Sequence, residues 1–167
     1  MKPSLFWLQA PSGRLAIMAR PRGGDWLQDE LAALRAAGVD MVACTLTAAE
    51  MMELDLTGEP ATAVQAGLGF VALPIADRGV PSAESALPIL RRLLAELRLG
   101  RTLAVHCRMG IGRSSMIAAS LLVMDGVEVE AAWAEAALAR GLNVPDTAEQ
   151  RAWIRQFVRP AHGEDRA

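Results

Sequence analysis

The stretch R-T-L-A-V-H-C-R-M-G-I-G-R-S-S-M-I-A-A-S-L-L-V-M-D, residues 101–125, constrains the fold more than any other part of the chain. From Arg113 onward it is apolar nearly all round a helical wheel, so a helix there has no face to offer water and must be buried at the centre of a domain. The preceding R-T-L-A-V-H is a continuous apolar strand, the kind expected in a sheet covered on both faces. A strand, a glycine-rich turn and a buried helix in that order point to a layered α/β fold.

The flanking sequence repeats the alternation. W-L-Q-D-E-L-A-A-L-R-A-A-G carries apolar residues at helical spacing, with Asp25 as the expected N-cap and Gly38 as the stop. V-D-M-V-A-C-T-L reads as a buried strand, after which Thr47 opens a short helix through A-A-E-M-M-E-L. G-F-V-A-L-P-I-A-D is the next strand, ended by Asp77-Arg78-Gly79 and Pro81. Ser85 is then expected to cap a helix that stops at Gly100, with Pro88 in its first turn. Two more helices, roughly 128–140 and 146–158, complete the pattern. The expectation is one α/β domain over residues 1–160, a mostly parallel sheet flanked by helices, and a flexible tail at 161–167.

Composition narrows the classes. Hydrophobic residues make up 52% and charged residues 22%, with a formal net charge of −2. That balance argues against disorder and against a nucleic-acid partner. The N-terminal apolar patch between Pro3 and Pro11 is too short for a signal-peptide core, and no apolar run approaches the roughly 18 residues that cross a bilayer. A cytoplasmic monomer with no membrane partner is expected, with both cysteines, Cys44 and Cys107, free.

The turn after the strand carries the chemistry. Gly110 and Gly112 can adopt conformations that aim successive backbone N–H groups inward, and the start of a helix adds its dipole, which together make an anion cradle suited to phosphate. Arg113 supplies a bidentate cation. Cys107 at the mouth of the cradle is then a thiolate and a nucleophile, and Ser114 can hydrogen-bond the sulfur as it leaves. A leaving alkoxide or phenoxide needs a proton, and Asp77, on the loop at the carboxyl end of another strand of the parallel sheet, is the carboxyl group placed to give it. Asp40 precedes its strand and falls at the opposite edge, and Asp25, Asp29 and Asp146 read as caps or first-turn residues. Cys44 reads as core packing, mid-strand.

His106, Cys107, Arg113 and Ser114 match the signature H-C-x5-R-[ST], and P-I-A-D-R-G-V-P matches an acid-loop pattern. With these motifs the sequence resembles the cysteine-dependent protein tyrosine phosphatases, most closely the compact dual-specificity type. The resemblance implies a phosphocysteine intermediate, Asp77 as acid and then base, His106 as a support of the loop, and neither metal nor cofactor. It implies phosphate contacts from Arg108, Met109, Gly110, Ile111 and Gly112, and water positioning by Gln150. Arg108 is the basic first cradle residue of protein phosphatases, whereas Ile111 stands where phosphoinositide-specific members place a lysine. The expected substrate is therefore a phosphoprotein bearing phosphotyrosine, with phosphoserine and phosphothreonine also open.

Other readings share these residues. A phosphoinositide or RNA 5′-phosphatase would use the same mechanism. A phosphate-binding module without catalysis normally lacks the cysteine or the acid. A sulfur-transfer or arsenate-reducing enzyme would have no need of Asp77, or would require a resolving cysteine nearby. His162, in the tail, has no companions for a metal site.

Overall fold

The computed structural model describes residues 1–158, so the expected tail at 161–167 and His162 lie outside the described residues. Five strands form one sheet: β1 (Phe6–Ala10), β2 (Gly13–Met18), β3 (Met41–Cys44), β4 (Gly69–Ala72) and β5 (Leu103–His106), in the order β1-β2-β5-β3-β4. Only β1 runs antiparallel, against β2; the remaining pairs are parallel. The helices are α1 (Leu27–Ala36), α2 (Ala48–Glu53), α3 (Glu59–Gln65), α4 (Ala83–Arg98), α5 (Arg113–Met124), α6 (Val129–Arg140) and α7 (Ala148–Trp153). Among the described residues no helix is long and apolar enough to cross a membrane.

Side chains alternate across the sheet and build two cores. Leu15, Ile17, Met41, Ala43, Leu103 and Val105 face α4, α5 and α6. Met18, Val42, Cys44 and Ala104 face the opposite layer, which contains α1 and α3. Because successive residues point to opposite faces, His106 follows Ala104 into the α1/α3 layer. α5 is buried at nearly every position, as its uniform apolarity requires.

Several sequence expectations change. The N-terminal apolar patch between Pro3 and Pro11 is β1, and β2 beyond it completes a hairpin that the sequence pattern does not include. Its turn is fastened from afar, by Asp125 accepting from the Ser12 amide at 2.7 Å and from the Ser12 hydroxyl at 2.5 Å. α3 is a further element, between α2 and β4, that the sequence pattern does not include. Asp25 does not cap α1; it lies in a 3-10 turn over Gly24–Trp26, and Trp26 stands at the N-cap. Ser82, not Ser85, caps α4 by accepting from the Ser85 amide. Pro88 consequently sits inside α4, past its first turn, where its missing N–H leaves one helical carbonyl without its usual partner. The expected 146–158 helix is α7 followed by a 3-10 turn at Ile154–Phe157. Cys44 is the last residue of β3, opposite His106 in register, rather than mid-strand.

Candidate active site

The cradle runs from the end of β5 to the start of α5. Cys107 is 3% exposed, and its Sγ lies 3.1 Å from Ser114 Oγ and 3.3 Å from the Gly110 N–H that donates to it. Burial pushes the thiol pKa up, but hydrogen bonds from the Ser114 hydroxyl and from the amides of Ser114, Ile111 and Gly110 outweigh it, so the net shift is downward. The loop therefore does aim backbone N–H groups at the sulfur. Gly110 has φ of 70°, and a Cβ there would meet the backbone of Met18 and Ala19 at 2.8–2.9 Å. A Cβ on Gly112 would collide with the Asp146 carboxylate.

Arg113 is buried and held from outside the cradle. Its Nη1 and Nη2 donate to Glu50 at 2.7 and 2.9 Å, and Nη1 also donates to the Ile75 carbonyl at 2.8 Å. This pairing draws the Glu50 pKa down from 4.5 to about 2, against burial, which raises it. Among the described residues Nε has no hydrogen-bond partner, so Arg113 keeps Nε–H and the outer Nη2–H for an anion. Asp77, 66% exposed, approaches that Nη2 at 3.5 Å. It is presented by a tight turn in which Gly79 N donates to the Ala76 carbonyl at 2.8 Å and Arg78 has φ of 60°. Thr47, Glu50, Glu53, Ala76, Asp77 and Arg108 line a cleft of about 470 Å³. A more apolar cavity of about 500 Å³, between α4 and the C-terminal turn, contains none of these residues.

The other expected residues fall around this centre. His106 is buried under α3, with Nε2 2.7 Å from Glu59 Oε1 and Nδ1 3.3 Å from the Cys107 carbonyl. Arg108 donates to Glu53 at 2.8 Å, Met109 is exposed and Ile111 packs against the larger core. Gln150 is buried with both polar ends engaged, accepting from the Asp146 amide at 3.1 Å and donating to the Gly79 carbonyl at 3.1 Å. It links α7 to the acid loop. Asp40 lies at the far edge of the sheet, accepting from the Thr102 amide and from Arg35, as expected.

Three contributors escaped the sequence reading. Glu50 sits in the capping box T-x-x-E, which accounts for it locally and hides its second partner. Arg140, at the end of α6, donates to the Gly110 and Met109 carbonyls at 2.7 and 3.3 Å while stacking on Phe6, and no motif of the sequence singles it out. Glu59 carries no motif at all. Cys44, Glu59 and His106 have ligand atoms within 4.8 Å of one another, but the direct His106–Glu59 hydrogen bond already occupies one face of each.

A protein-family model described as "Tc-R-P: Polymorphic toxin system, DSP-PTPase phosphatase" matches residues 16–127, which contain the whole cradle and Asp77. The chain belongs to this DSP-PTPase family. Human cyclin-dependent kinase inhibitor 3 is 34% identical over 86 residues, covering 50% of this chain and 41% of that protein, so the DSP-PTPase chain spans less than half of that relative's length. Kinase associated phosphatase, solved with its catalytic-site cysteine replaced by serine, superposes with a TM-score of 0.81 at 23% identity over 94% of each chain. Tk-PTP in its active form gives a TM-score of 0.74 at 25% identity, covering 94% of this chain and 97% of that one. The expected family and the mostly parallel α/β fold are thus both found.

Proposed function

We propose that this DSP-PTPase is a cysteine-based phosphatase that hydrolyses phosphotyrosine, and with it phosphoserine and phosphothreonine, on protein substrates. The observation that carries the reading is the convergence on one cradle of the Cys107 sulfur, inward amides, the Ser114 hydroxyl, Arg113 with two free donors, and Asp77 at 3.5 Å from that arginine. Phosphate oxygens would take the cradle N–H groups and Arg113, which neutralise charge in the transition state. The thiolate forms the S–P bond as the P–O bond to the leaving group breaks, and Asp77 passes its proton to that oxygen. Water then attacks phosphorus, Asp77 accepts the water proton, and the S–P bond breaks with Ser114 hydrogen-bonded to the departing thiolate. Inorganic phosphate leaves and the enzyme is restored.

In this scheme His106 supports the loop, Arg108 to Gly112 contact phosphate, and Gln150 sets the distance between the acid loop and the cradle. The charge is supplied by Arg113 and the backbone, so no metal takes part in any step. Ile111 at the fourth cradle position and the Arg108–Glu53 pair favour a protein over an inositol lipid, whose phosphates would call for further cations at the mouth. A metal-chelated, reducing assay on an aryl phosphate, followed by phosphotyrosyl, phosphoseryl, phosphoinositide and 5′-triphosphorylated RNA substrates, tests the reading. Turnover abolished in Cys107→Ser is expected. Full activity in that variant, or no turnover of any phosphoester by the native protein, sinks it.

A further inference from the structure

The alternation of β5 sends His106 away from the cradle and beneath α3, while its backbone leads directly into Cys107. Both ring nitrogens face oxygen. Nδ1 lies 3.3 Å from the Cys107 carbonyl, which can only accept, so Nδ1 carries a hydrogen. Nε2, across the ring, lies 2.7 Å from Glu59 Oε1, and both side chains are completely buried. The second carboxylate oxygen, Oε2, is buried with no hydrogen-bond partner among the described residues. A buried carboxylate is costly unless a charge answers it, and the imidazole is the group in contact.

We propose that Glu59 is a positioning residue of the phosphatase reaction: its carboxylate holds His106 as an imidazolium that fastens the Cys107 carbonyl through Nδ1–H and favours the Cys107 thiolate. The electrostatic sense follows from the order of the groups. The ring contacts the Cys107 backbone through Nδ1 and Glu59 through Nε2, so of the two charges the imidazolium is the one on the Cys107 side. The titratable groups facing the ring are Glu59 from α3, Cys44 from β3 and Cys107 of its own segment. Burial disfavours the charged ring, yet the attraction of Glu59, with Cys44 and the Glu59 hydrogen bond, outweighs it and holds the His106 pKa well above its ordinary value. Hydrogen bonds inside the cradle activate the sulfur directly; Glu59 acts on it through His106.

The catalytic consequence rests on the phosphatase reading, but its test needs no turnover. Ring-15N histidine spectra of the His162→Ala protein contain only His106, because the chain has two histidines. Both nitrogens protonated from pH 6 to 9 is the expected result; a neutral tautomer at pH 7 overturns the proposal even if no Glu59 variant folds. In Glu59→Gln, the pH midpoint for iodoacetamide alkylation of Cys107, followed by peptide mass spectrometry, should rise by about 0.5–1 unit, slowing alkylation roughly 3- to 10-fold below the midpoint. An unmoved midpoint overturns it as well. Shifted alkylation in a protein inert toward every phosphoester would leave the Glu59 assignment standing and remove the phosphatase reading alone.

Discussion

Glu50 holds Arg113 with both carboxylate oxygens, at 2.7 and 2.9 Å, while one of the same oxygens accepts from the Thr47 amide at 3.0 Å to close the capping box of α2. The helix cap and the cradle arginine therefore share one charge. The Glu50 pKa in the folded protein is about 2, below its ordinary 4.5. A depressed carboxyl pKa contributes stability that is present above the unfolded value and lost as pH falls through the folded value. Wild-type Tm should drop between pH 4.5 and 2 by more than that of Glu50→Gln, and at neutral pH the variant should be less stable by on the order of 1–3 kcal/mol. Equal acid sensitivity in the two proteins would show that the pair does not stabilise the fold.

Asp77→Asn keeps the shape of the acid loop and removes its proton. Turnover of alkyl phosphates and other poor leaving groups should fall on the order of 10²- to 10⁴-fold, and good leaving groups should suffer far less, because they depart without a proton. The basic limb of the pH–rate profile should flatten. Equal losses for both substrate types would place the acid elsewhere.

Ser114 Oγ is 3.1 Å from the Cys107 sulfur, and in the proposed mechanism that contact serves the departing thiolate. In Ser114→Ala, breakdown of the phosphocysteine should slow by roughly 10- to 100-fold, as expected for one lost hydrogen bond to a charged group. Rapid-quench experiments should show a burst of leaving group followed by slow turnover. The acid limb should also move to higher pH, since that hydroxyl is the largest of the contributions that lower the Cys107 pKa.

Gly110→Ala combines a left-handed backbone with a Cβ pressed on the Met18 and Ala19 backbone. Melting experiments should show a loss of about 1–3 kcal/mol, and phosphate or vanadate affinity should fall with it. A variant with native stability and full anion affinity would mean that the loop tolerates another path.

Arg140 fixes the outward carbonyls of Met109 and Gly110 from α6. Arg140→Lys cannot reproduce the fork and the stack on Phe6, so KM for phosphoester should rise several-fold with a smaller change in kcat. A selective fall in kcat would instead assign Arg140 to the chemical step.

The cradle was readable because its logic is local. The strand, two glycines, arginine and serine follow one another, and each acts within a few residues of Cys107. The placement of Asp77 beside Arg113 was readable one step further out, since parallel strands bring their carboxyl-end loops to one edge. Glu50, Arg140 and Glu59 were not. Glu59 lies 47 residues from His106, Glu50 lies 63 from Arg113, and no spacing rule connects positions whose proximity exists only after α2 and α3 dock on the sheet. The N-terminal hairpin failed to register for a related reason, because its turn depends on Asp125, 113 residues away.

The sequence alone determined the α/β pattern, the buried central helix and the turn that joins Cys107 to Arg113, and it pointed to Asp77 as the proposed acid, because hydrophobic periodicity and turn chemistry are written in neighbouring residues. Only the tertiary structure decided which carboxylates answer Arg113 and His106, and that Gln150 is tied to the acid loop. Those partners are set by which side chains the packed layers bring within hydrogen-bond distance, and burial makes each of them obligatory once it is there.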